Sequence, residues 1–187
     1  MDVKIGSDAL KIVSLNVRGV SNFKKRRTIF TWCRRKNADV IFLQETHSNK
    51  ATENQWQREW GRRMLFSHGN PNSCGTAILI NNKVNCTVLC TVPDPLGRFV
   101  ISKVQVDDKV YVLVNIYAPN KDKDSILFFK KLHTLLQSNC NVTCVIKLLR
   151  RPGQGQFIVF QVLVINFTLA VPTHTCISTQ EYKAVFN

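Results

Sequence analysis

The sharpest change of polarity along the chain falls at Glu45. The run Asp39-Val40-Ile41-Phe42-Leu43-Gln44-Glu45 is apolar through its middle and gives way to Thr46-His47-Ser48-Asn49. A short apolar run closed by polar residues predicts a buried strand whose carboxyl end opens at a surface. Residues 11–19 predict an earlier strand leading into a loop. Between the two, residues 24–37 space Ile29, Phe30, Trp32 and Cys33 among seven cations, the pattern of a helix with one apolar face. A second short helix is predicted over 52–60, with Thr52 as its N-cap and Trp56 and Trp60 one turn apart.

Farther along, the texture becomes that of strands. Four β-rich segments, 75–80, 85–92, 98–106 and 109–116, are separated by Asn81-Asn82, Pro93-Asp94-Pro95 and Asp107-Asp108. The last break is two residues long and predicts a tight hairpin. Residues 125–137 predict a helix with Ile126, Phe129, Leu132 and Leu136 on one face, capped by Asp124 or Ser125, and 141–146 predict a further strand. After Ile146 comes a basic, loop-forming stretch, 147–156, and then the almost continuously apolar 157–171. That run is shorter than the roughly 20 residues of a membrane helix, and its β-branched content favours a buried strand pair. The chain thus divides into an N-terminal extension at 1–8, a main domain at 9–146 and an apolar tail at 147–187.

Composition narrows the class. The chain has 187 residues, 44% of them hydrophobic, which excludes a disordered composition and supports one domain with a sizeable core. The formal net charge is +14, from 26 Lys and Arg against 12 Asp and Glu. No Asp or Glu occurs between 125 and 180; beyond 139, Lys147, Arg150, Arg151 and Lys183 face only Glu181, leaving +11 of the +14 on the first 139 residues. Such a charge points to polyanions, nucleic acid ahead of an anionic membrane surface. The cysteine count is odd, seven, and no pair has CxxC spacing, so reduced thiols fit better than a disulfide framework or a zinc site. The N-terminus carries charge and lacks the apolar core of a signal peptide. A nuclear or cytoplasmic location is expected, with no membrane contact and no obligate protein partner.

Candidate chemistry gathers at predicted strand ends, where open α/β sheets bind ligands. Asn16, Glu45, Tyr117 and Asn120 all fall there. A carboxylate at such a place needs a partner to offset its desolvation: one of the many arginines, or a divalent cation. An acid, two amides and a phenol suit a divalent metal beside a phosphate.

The order of these segments resembles the endonuclease/exonuclease/phosphatase superfamily, and more narrowly the apurinic-endonuclease-like domain of LINE-type retrotransposon proteins. The matching segments are Ile12-Val13-Ser14-Leu15-Asn16-Val17-Arg18-Gly19, Ala38-Asp39-Val40-Ile41-Phe42-Leu43-Gln44-Glu45-Thr46-His47, Gly75-Thr76-Ala77-Ile78-Leu79-Ile80 and Val114-Asn115-Ile116-Tyr117-Ala118-Pro119-Asn120. The resemblance implies the N-terminal part of a four-layer α/β sandwich, two mixed β-sheets flanked by helices, and Mg²⁺-dependent (or Mn²⁺-dependent) cleavage of DNA phosphodiesters. It implies that Glu45 is the metal ligand and that Asn16 holds the metal-site network. Tyr117 and Asn120 would lie against the scissile phosphate or the DNA strand, and Arg18, Lys24, Lys25, Arg26 and Arg27 would meet backbone phosphates. Within the superfamily, the 117–120 loop and the basic charge lean to DNA rather than a phosphoinositide or sphingomyelin.

The resemblance covers residues 9–146 and then breaks. Where the family has Gly-Asp-Phe-Asn, this chain has Lys147-Leu148-Leu149-Arg150, and the later Ser-Asp-His segment is absent from it. His174 stands in Pro172-Thr173-His174-Thr175 without a neighbouring acid. In the family those residues position and activate the attacking water, so the expectation is a domain with little or no cleavage. The change after Ile146 resembles a frameshift, an altered splice or a truncated element copy. The alternatives are a non-catalytic basic module that binds nucleic acid, and an unstable product.

Overall fold

Two four-stranded sheets lie face to face in the computed structural model, which describes residues 10–70, 72–119, 122–140 and 163–167. In order along the chain the first sheet contains β1 (Ile12–Asn16), β2 (Val40–Gln44), β3 (Met64–Ser67) and β4 (Thr76–Ile80). Its spatial order is β1-β2-β4-β3, parallel between β1 and β2 and antiparallel elsewhere. The second sheet runs β5 (Cys86–Pro93), β6 (Phe99–Val106), β7 (Lys109–Ile116) and β8 (Leu163–Phe167), antiparallel at every described pairing. Of the two expected mixed sheets, one is therefore mixed and the other antiparallel. Its β6–β7 pairing closes with Val106 opposite Lys109 across Asp107-Asp108, the hairpin anticipated from the two-residue break.

Helices complete four layers. The α1 helix (Phe23–Arg35) joins the parallel pair β1 and β2, and α2 (Glu53–Trp60) follows β2. Both pack on the outer face of the first sheet, where Phe30, Cys33, Trp56 and Trp60 meet Ile41, Leu43, Ala77 and Leu79. Between the sheets, Val40, Phe42, Ile78 and Ile80 face Val100, Val104, Tyr111 and Leu113. On the far side, Leu132 and Leu136 of α3 (Asp122–Cys140) cover Phe99, Ile101, Val112, Val114 and Ile116. β2 is covered on both faces, which is why it reads as an unbroken apolar run rather than an alternating one.

Two local expectations are corrected, and one strand is added. Thr52 does not cap α2: it is already helical and makes no capping bond, while Asn49 caps the preceding 3₁₀ turn, its Oδ1 accepting from Thr52 N at 3.0 Å. Helix α3 begins at Asp122, so Asp124 and Ser125 lie within its first turn, and Ser125 Oγ instead donates to Pro119 O at 2.6 Å. β3 lies in a stretch the apolar pattern leaves unassigned, because four residues are too few for a period to emerge. The strand expected over 141–146 lies outside the described residues.

Candidate active site

Strands β1 and β2 run side by side, with Asn16 opposite Gln44, so their carboxyl ends open together. The pairing continues past both strands: Val17 N donates to Gln44 O at 2.9 Å, Gly19 N to Glu45 O at 2.6 Å and Val20 N to Thr46 O at 3.0 Å. From the opposite side, Thr46 N donates to Gly75 O at 2.9 Å and His47 N to Cys74 O at 3.1 Å. The segment 45–47 is thereby held by its backbone from both flanks.

Three of the four expected residues meet there. Asn16 Nδ2 donates to Glu45 Oε1 at 2.5 Å, and Asn16 Oδ1 accepts from the Arg18 N–H at 3.0 Å, which fixes the amide's orientation. Tyr117 comes from the other sheet to within electrostatic reach of the Glu45 carboxylate. Burial, followed by the Glu45 carboxylate, pushes the Tyr117 phenol up to about 12. The phenol therefore stays a neutral O–H donor at physiological pH. The Arg98 guanidinium stands over the Tyr117 ring at 5.6 Å, and Tyr117 N donates to Arg98 O at 2.6 Å. Asn120, the fourth, lies outside the described residues.

Backbone strain concentrates at this place. Arg18 (φ 46°), Glu45 (φ 52°) and His47 (φ 55°) are all left-handed without being glycine. Each such residue costs on the order of 1–3 kcal/mol, and such strain clusters at functional sites. Gly19 (φ 76°) passes so close to His47 that an added Cβ would sit 2.6 Å from Nδ1. Gly19→Ala is accordingly expected to lose about 1–2 kcal/mol from the left-handed backbone alone. In urea melts, His47→Ala in the same chain should recover only the smaller steric part, and full recovery would refute the backbone account.

Beneath the site, a polar pin joins the sheets. Gln44 Nε2 donates to Asn115 Oδ1 at 2.6 Å and to Ser14 Oγ at 3.0 Å, while Asn115 Nδ2 donates to Leu43 O and Ala77 O, each at 2.9 Å. A second chain supports the loop after Glu45. Thr46 Oγ1 donates to Ser48 Oγ at 3.1 Å, Ser48 Oγ lies 3.0 Å from His68 Nδ1, and His68 Nε2 lies 3.3 Å from Glu53 Oε2. Neither network is among the sequence candidates. Gln44 and Asn115 were nevertheless findable, as polar residues at positions of apolar strands that face the partner sheet.

The basic cluster divides. Arg18, Lys24, Lys25 and Arg27 are exposed, and Lys25 Nζ donates to Arg18 O at 2.8 Å, which draws the start of α1 against the site. Arg26 is a correction: it is buried at 2% exposure. Its Nε and Nη2 hold Glu59 at 2.6 and 2.7 Å, and Nη1 donates to the carbonyls of Val20 and Ser21, both at 2.9 Å. Four of its five N–H donors are thereby committed inside the fold, which withdraws Arg26 from the exposed phosphate-binding set.

The donor set fits a hard cation only in a shared mode. Among the described residues no group of three His, Cys, Asp or Glu could enclose a metal. Glu45 is one carboxylate, and Mg²⁺ is commonly bound through one or two carboxylates, with waters and substrate phosphate completing its shell. Among the described residues, no helix is long and apolar enough to cross a membrane.

Known proteins resemble the chain in sequence and in fold. The family profile described as "Endonuclease/Exonuclease/phosphatase family" matches residues 13–173. A 149 kDa protein of transposon TX1 from Xenopus laevis is 31% identical over 130 residues, which is 70% of this chain and 10% of that protein. An AP endonuclease from Archaeoglobus fulgidus aligns at a TM-score of 0.51 and 19% identity, over 70% of this chain and 52% of that one. A humanized TDP2 from D. rerio aligns at 0.50 and 22%, over 69% and 55%. The chain thus spans about half the length of these structures and a tenth of the transposon protein.

Proposed function

The chain belongs to the endonuclease/exonuclease/phosphatase family, and from that premise we propose that it is part of a retrotransposon-type, Mg²⁺-dependent DNA endonuclease that binds DNA but cleaves it little. The observation that carries this reading is the Asn16–Glu45 hydrogen bond at the paired ends of two strands, with the Tyr117 phenol brought near the same carboxylate from the other sheet. Glu45 would hold the cation together with a DNA phosphate. Bound there, the cation would neutralise charge developing on the phosphate oxygens. Asn16 keeps the carboxylate aimed, and the neutral Tyr117 O–H is a donor for Glu45 or for a phosphate oxygen. Arg18, Lys24, Lys25 and Arg27 lie where they can follow the DNA backbone.

Weak cleavage is the part of the proposal that follows from a departure in sequence at the residues that direct water in the family. Lys147-Leu148-Leu149-Arg150 stands where the family has its acid-bearing motif. Losing one general base costs about a hundred- to ten-thousand-fold in rate. Losing several members of a unit is non-additive and leaves little above background.

The test pairs plasmid nicking with metal binding. With Mg²⁺, wild type and Glu45→Gln should both nick supercoiled plasmid at background. Mn²⁺ binding in the presence of a DNA oligonucleotide should weaken at least about tenfold in Glu45→Gln, since the variant removes the charge that a hard cation needs. DNA binding that falls steeply with salt should survive in both proteins. Mg²⁺-dependent nicking that is lost in Glu45→Gln would overturn the reading of weak cleavage. Absence of salt-dependent binding would overturn DNA as the ligand.

A further inference from the structure

We infer that Phe23 is a stacking platform for an unpaired nucleobase beside the Glu45 site, an inference that rests on the DNA-binding reading above. Phe23 is the first residue of α1 and is 53% exposed. A lone exposed phenylalanine is ordinary; its surroundings are not. Arg18, Lys24, Lys25 and Arg27 are all exposed nearby in the chain, and Lys25 ties this end of the helix to Arg18, whose N–H orients the Asn16 amide against Glu45. No acid occupies the first turn of α1. Carboxylates are favoured at that end of a helix and cations disfavoured. Lys24 and Lys25 therefore stand where they oppose the helix dipole, as a surface shaped for a polyanion would have it.

The ring is braced as well as exposed. The Arg26 guanidinium lies over it, 5.8 Å from the centroid, and is itself immobilised by Glu59 and by the carbonyls of Val20 and Ser21. A ring held against a fixed cation loses little freedom when a base stacks on its open surface. An aromatic ring within a basic track is the combination that grips single-stranded nucleic acid, the cations following the phosphates while the ring takes a base of any identity. The occupant favoured by this charge is a nucleic-acid strand rather than an apolar protein surface.

The test compares the binding to the whole chain of fluorescein-labelled dT20 and of a DNA hairpin whose stem is fully paired and closed by a non-nucleoside linker. Phe23→Ala should weaken dT20 binding about tenfold, within the range for removing one base–aromatic stack. Phe23→Trp should stay within about twofold of wild type, and Phe23→Leu should behave like alanine, because area without a π-face cannot stack. Binding of the paired hairpin should be unchanged in all three. The salt slope should be unaltered by Phe23→Ala and lowered by about 0.7 for each phosphate that Lys24→Ala/Lys25→Ala ceases to neutralise.

Unchanged dT20 binding in Phe23→Ala, or equal losses on dT20 and the hairpin, would overturn the stacking role while leaving the DNA-binding reading intact. Loss of self-association in Phe23→Ala with unchanged dT20 binding would assign the ring to a protein interface and likewise overturn it. No salt-dependent binding by the wild type would overturn both.

Discussion

Arg26→Ala is expected to destabilise the fold by about 3 kcal/mol, whereas Arg27→Ala next to it should change stability by no more than about 0.5 kcal/mol. The sequence presents the two as equivalent members of a basic run, and burial separates them. The Arg26 side chain is 3% exposed and the Glu59 side chain 20%. Removing Arg26 leaves Glu59 without its bidentate partner, and leaves the Val20 and Ser21 carbonyls without donors at the turn into α1. It also strips the cation lying 5.0 Å from the Trp56 ring, in the layer that joins α1 to α2. The partial exposure of Glu59 places the effect at the low end of the range for broken buried pairs. Lysine at this position should recover only part of the loss, because an ammonium cannot reproduce the planar fork.

The Arg26 effect carries a pH signature. The hydrogen bonds from Arg26 hold the Glu59 carboxyl below its ordinary value, against an opposing push from burial. A lowered folded value means stability that is present above the ordinary carboxylate pKa and lost as pH falls through the folded one. Urea melts of wild type and Arg26→Ala should therefore differ most at neutral pH, and the difference should shrink as pH drops below the ordinary glutamate range, to the part carried by the Val20 and Ser21 carbonyls and the Trp56 ring. A difference that stays constant through that window would refute the ion pair as its source.

Asn115→Ala is expected to cost a similar amount, about 3 kcal/mol, without that pH dependence. Asn115 spans the two sheets: it accepts from Gln44 and donates to Leu43 O and Ala77 O. It is fully buried, so truncation strands an amide and two carbonyls where water does not replace their partner. Because Gln44 immediately precedes Glu45, the loss should also loosen the site. Joint replacement by leucine at 44 and 115 should destabilise less than the sum of the single changes, since it removes both ends of the shared bond. Strict additivity in a double-mutant cycle would show that the two side chains do not act as one pin.

Much of this is legible in the sequence, and the reasons are particular. The unbroken run at β2 announced a buried strand, and the Asp107-Asp108 break announced its hairpin. Glu45, Asn16 and Tyr117 were findable because each ends an apolar segment, and strand ends are where a sheet exposes polar groups. Arg26 could have been read correctly as well: 26, 30 and 33 follow the helical spacing, which puts this arginine on the face of Phe30 and Cys33. The helix caps were less legible, since Asn49, Thr52, Asp124 and Ser125 are all competent cappers and the choice turns on a single backbone angle.

The chain by itself determined most of its strands and helices, its basic charge and the polar residues at its strand ends, because period and composition are local properties. Tertiary structure alone decided which of those residues meet. Asn16 and Glu45 lie 29 positions apart, and Gln44 and Asn115 lie 71 apart. Only the parallel register of β1 on β2, and the facing of one sheet by the other, bring them within a hydrogen bond. The same burial that joined Tyr117 to Glu45 withdrew Arg26 from solvent, and no pattern along the chain carries the depth at which a charge comes to rest.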